Sequence, residues 1–101
     1  MSSEYNHIYS SATGLENNIK NQLDDKAHPI GRGLLEKSRL FVSDIQQQKK
    51  PRQLEARIKE ILELLHHAKQ HGELIIDIRD ADALHHGYEH IQMELRKFSS
   101  Y

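Results

Sequence analysis

Five apolar side chains, Leu54, Ile58, Ile61, Leu65 and Ala68, follow one another at steps of four, three, four and three. A helix with about 3.6 residues per turn brings such positions onto one face, whereas a strand scatters them over two. The spacing predicts a helix from about Arg52 to His71, with Gly72 as its left-handed cap. Leu62 and Leu64 flank the stripe. An apolar face of this length has to be covered, so the rest of the chain must supply partner elements.

Three further segments can do so. Tyr5, Ile8, Ala12, Leu15, Ile19 and Leu23 repeat the rhythm near the start, where Ser2 or Ser3 is placed to cap a helix. That helix stops in the stretch DDKAHP, which discourages continuation. Ile30, Leu34, Phe41 and Ile45 form a second stripe, with Leu35 and Val42 on its shoulder, closed by QQQKKP. Gly31 and Gly33 leave the start of this helix open. Leu84, Tyr88, Ile91, Leu95 and Phe98 make the fourth, with Asp80 or Asp82 as its N-cap. Residues 73–79, ELIIDIR, break the phase. They read either as a short extended connection or as the start of one phase-shifted helix from about Glu73.

Composition supports the same class. Twelve Leu and ten Ile stand against one Val, two Phe and no Trp, a balance that suits helices better than strands. The expectation is an all-α, small antiparallel four-helix bundle, one domain over residues 1–101.

Charge and chemistry narrow the function classes. Fourteen Lys and Arg against fifteen Asp and Glu give a net charge of -1, which predicts no nucleic-acid partner. Lys49, Lys50, Arg52, Arg57 and Lys59 make the one local positive cluster, read as helix-end solubilisation. Without cysteine, thiolate metal sites and cysteine nucleophiles are excluded. The first residues, MSSEYNHIYSS, have no signal-peptide pattern and no segment suits membrane insertion, so the expected location is cytoplasmic. No cofactor is expected.

Histidine is the conspicuous chemical resource. On the fourth helix Asp82, His86, His90 and Glu94 step by four, and on the third Glu63, His67 and His71 do the same. Imidazoles at that spacing can share a metal ion, so Asp82, His86, His90, His67 and His71 form one alternative site. Both stripes lie away from the core face, and the default reading is a solvated histidine surface with no metal.

Arg79, followed after a gap by His86, Gly87 and Tyr88, resembles the arginine–histidine motif with trailing tyrosine of the HEPN family of helical ribonucleases. The resemblance covers about ten residues. It implies metal-independent RNA cleavage with Arg79, His86 and Tyr88 in the site and two subunits acting together. Asp80 and Asp82 depart from the apolar spacing usual in that family's gap, and no basic groove accompanies the motif.

Catalysis needs polar groups converging in a concavity, which a compact bundle offers sparingly. Binding a protein asks only for an exposed apolar strip and a polar rim. Leu40, Ile75 and Ile76 are the candidates for such a strip, with Leu64, Met93 and Tyr9 beside them. The expected function is a non-enzymatic protein-interaction module of the inhibitor, immunity, adaptor or chaperone type, with a homodimer as one form of partner. The plan (four helices in about a hundred residues, a short link before the third, an apolar stretch before the fourth) resembles that of bacteriocin immunity proteins.

Overall fold

A computed structural model of the chain describes residues 3–23, 29–71 and 81–99, with side chains at all of these except 3, 71, 98 and 99. Four helices account for nearly all of them: α1 Ser3–Gln22, α2 Pro29–Gln46, α3 Pro51–His71 and α4 Ala81–Ser99. The fold is an all-α four-helix bundle. At about 1.5 Å per residue the helices are roughly 27–32 Å long, which fits a body measuring 41 × 24 × 18 Å.

Each apolar stripe goes inside. Ile8, Ala12 and Ile19 of α1, Leu34, Phe41 and Ile45 of α2, Leu54, Ile58, Ile61, Leu65 and Ala68 of α3, and Leu84, Tyr88, Ile91 and Leu95 of α4 form one core. Burying a Leu, Ile or Phe side chain is worth about 1.5–3 kcal/mol, so these faces hold the helices together. The helices close a ring in which α1 packs on α2, α2 on α3, α3 on α4 and α4 on α1. Across its centre the rings of Phe41 and Tyr88 lie 6.3 Å apart, tilted by 60°.

The helix starts refine the expected boundaries. Pro29 and Pro51 each occupy a first helical position, where the missing N–H leaves no bond unmade. Gly31 and Gly33 therefore lie inside α2. Because α4 begins at the buried Ala81, Asp82 is not a cap but a first-turn residue, where a carboxylate meets the positive end of the helix dipole. Gly72, residues 73–79 and Asp80 lie outside the described residues, as does the Phe98 side chain.

The α2–α3 link is fixed by backbone bonds. Gln48 has φ 54°, and its N–H reaches the Ile45 carbonyl at 2.9 Å. The Lys49 N–H reaches the Asp44 carbonyl at 3.1 Å. These two bonds are the Schellman pattern, with Gln48 in the left-handed position that usually goes to glycine. The α3 start is tied in turn by Gln53 Oε1, which accepts the Lys50 N–H at 3.2 Å as in half of a capping box.

Gly87 sets the approach of α4 to α1. A Cβ at that position would stand 2.7 Å from Cδ2 of Leu15, inside van der Waals contact.

Candidate functional site

The α2–α3 link places a buried acid under a cationic rim. Asp44, only 5% exposed, receives Arg57 Nε on Oδ2 at 3.1 Å and Lys49 Nζ on Oδ1 at 3.0 Å. The turn makes this possible, since the bond that ends α2 also swings Lys49 back over Asp44. Further along, Lys37 Nζ bonds Glu60 Oε2 at 3.2 Å, and Arg57 Nη1 approaches the same oxygen at 3.8 Å. Together Asp44, Lys49, Gln53, Ala56, Arg57 and Glu60 line an open groove of about 280 Å³. Tyr5 of α1 ties the link to the first helix by donating its hydroxyl proton to the Lys49 carbonyl at 2.7 Å.

Sequence patterning identified the basic cluster here but not its anchor. Asp44 precedes the core residue Ile45 and reads as an ordinary flank position. Nothing local indicates that two cations across a turn will cover it.

The histidine face of α4 is paired within itself and with α1. His85 Nδ1 lies 2.6 Å from Glu89 Oε1, and His86 Nδ1 lies 3.7 Å from the same atom. Glu94 Oε1 is shared by His90 Nδ1 at 3.5 Å and, from α1, His7 Nε2 at 3.0 Å. His7 was not a predicted site residue, and its contact depends on α1 and α4 being neighbours. Asp82 turns away from this row and bonds Lys69 Nζ of α3 at 2.6 Å. That hydrogen bond first, and the lysine charge next, hold its carboxyl below the ordinary carboxylate range, with smaller help from His86 and His85.

The metal alternative is thus divided among separate partners: Asp82 on Lys69, His86 beside Glu89, His90 beside Glu94. His67 is exposed on α3, and the His71 side chain lies outside the described residues. Among the described residues, no three His, Asp or Glu side chains are grouped to hold a metal ion.

The described residues of the ribonuclease alternative, His86 and Tyr88, lie on different sides of α4. His86 is 78% exposed at its side chain, whereas Tyr88, two residues on, is fully buried against the opposite side of the same helix. Arg79 lies outside the described residues. The Tyr88 hydroxyl is buried without a hydrogen bond, although Ser38 of α2 is close to it. Ser38 spends its own proton on the Leu35 carbonyl at 2.7 Å. Burial pushes the Tyr88 phenol far above its usual range; the nearby Ser38 hydroxyl opposes this and the charge of Glu16 adds to it.

Of the predicted interaction residues, Ile75 and Ile76 lie outside the described residues, while Leu40 is 40% exposed on α2. Met93, at 60%, is the other large apolar side chain left exposed among the described residues. Leu64 and Tyr9 are half-buried, and Gln46 Nε2 donates to the Tyr9 hydroxyl at 3.1 Å. No described helix is long and apolar enough to cross a membrane. No family model, curated protein or solved structure matches the chain.

Proposed function

We propose that this chain is a non-enzymatic protein-binding module that docks through an apolar strip beginning at Leu40, to which Ile75 and Ile76 are the sequence-based additions. The observation that carries the reading is Leu40 itself. Its helix buries Leu34, Phe41 and Ile45 completely, yet leaves this leucine 40% exposed one turn from Asp44. An apolar side chain beside a polar rim is the layout of a small docking site. The module acts in the cytoplasm, as an inhibitor, immunity protein, adaptor or chaperone, and its partner is another protein or a second copy of the chain.

The experiment is affinity capture with the wild-type chain and with Leu40→Asp, Ile75→Asp and Ile76→Asp, each checked by circular dichroism. A specific partner held by wild type and lost with Leu40→Asp, at unchanged helicity, supports the reading. RNA cleavage abolished by His86→Ala would replace it with the ribonuclease, and a stoichiometric metal lost in His90→Ala would replace it with the metal bundle.

A further inference from the structure

Resting on that reading, we infer that the surface beside Leu40 selects an acidic segment, one that offers a carboxylate next to an apolar side chain.

Charge complementarity argues for it. Lys49, Lys50, Arg52 and Arg57 crowd the α2–α3 corner, and the carboxylate set among them is Asp44. That carboxylate is turned inward, 7% exposed at its side chain, while Lys49 at 38% and Arg57 at 29% face outward. Asp44 therefore fixes two cations in place and shows its own charge to neither solvent nor partner. An ammonium has three donors and a guanidinium five. Lys49 gives Asp44 one contact, and Arg57 gives it one through Nε while its Nη1 stands 3.8 Å from Glu60 Oε2, so the two cations keep further N–H groups for an incoming carboxylate. The carboxylate at the far end, Glu60, faces Lys37 at 3.2 Å and Arg57 at 3.8 Å.

Leu40 supplies the apolar half. It lies one helical turn before Asp44, close to the same face of α2, and the exposed methyl of Ala56 lines the groove from α3. A groove of about 280 Å³ suits one or two side chains. Single-stranded nucleic acid would be drawn by the same cations but needs aromatic rings to stack on, and no aromatic residue lines this groove. An acidic, leucine-like peptide satisfies both halves of the surface.

The test is an NMR titration of the labelled chain with a capped tripeptide of leucine between two aspartates, beside its asparagine counterpart. The expected result is saturable shift changes at Arg57 Nε–H, the Gln53 side-chain amide and the Leu40 methyls, with the asparagine peptide about tenfold weaker, as loss of one good charge contact implies. Arg57→Gln and Lys49→Gln should each weaken the acidic peptide. Lys49→Gln keeps the Asp44–Arg57 bond, so it remains informative if Arg57→Gln unfolds. Equal binding of the two peptides, binding of neither, or tighter binding of an RNA oligonucleotide at the same resonances would overturn the inference. If a captured partner is lost with Leu40→Asp but kept by Lys49→Gln, the docking reading stands and the acidic preference falls.

Discussion

Arg57 donates through Nε to Oδ2 of Asp44 at 3.1 Å, joining two helices across a four-residue link. The pair does structural and surface work together. It closes the α2–α3 corner over a carboxylate whose other oxygen is held by Lys49, and it holds the guanidinium at the groove mouth. Removing the charge of one member separates the two roles. Asp44→Asn should cost about 1–2 kcal/mol, below the usual figure for breaking a buried ion pair because both cations can return to water. Denaturant unfolding at neutral pH measures it, and a change under about 0.3 kcal/mol would show the bond to be ornamental.

Gln48 stands in a left-handed conformation at the end of α2. Glycine adopts that conformation without the steric cost a Cβ brings. Gln48→Gly should therefore stabilise the chain by about 0.5–1 kcal/mol, raising the melting temperature by several degrees for a domain of this size. Calorimetry decides the sign.

The Tyr88 hydroxyl gives an alkaline signature. Burial holds its phenol protonated in the folded chain well above the ordinary tyrosine range of about 10. A raised folded pKa contributes stability that is complete below the unfolded pKa and is lost as pH rises beyond it. Stability should accordingly decline above about pH 10 by up to 1.4 kcal/mol per pH unit from this group alone. In Tyr88→Phe that share of the slope disappears. The hydroxyl makes no hydrogen bond, so the same variant should be within about 1 kcal/mol of wild type at pH 7, whereas Tyr88→Ala should cost about 3–5 kcal/mol through the cavity it leaves.

Leu15 and Gly87 test the α1–α4 contact. Alanine at 87 gains up to about 1 kcal/mol of helix propensity, but its Cβ meets the end of a leucine side chain at 2.7 Å. The two effects should nearly cancel, since Leu15 can swing aside. Gly87→Leu has no such escape and should cost about 1–3 kcal/mol by overpacking. Chemical denaturation of both variants checks the order.

The stripes of α1, α3 and α4 are legible because apolar periodicity is local and survives without knowledge of neighbours. On α2 the stripe skips a step: Ser38 sits between Leu34 and Phe41 in the core, and as a polar residue it drops out of any apolar count. It is tolerated because its hydroxyl reaches back to the Leu35 carbonyl. Asp44 is harder still, since its burial depends on a turn that no glycine announces. The contact of His7 with Glu94 spans most of the chain and requires knowing that α1 lies beside α4. Leu40, by contrast, is readable as an apolar residue off the core stripe, and the structure leaves it 40% exposed.

Site-specific photo-crosslinking tests that docking strip most directly. A photoreactive phenylalanine analogue is placed at position 40, and in a second chain at the exposed Asn17 of α1. One discrete adduct, to a partner or to a second copy, is expected from position 40 and none from position 17. Equal labelling from both positions, or no adduct from 40, would contradict that expectation.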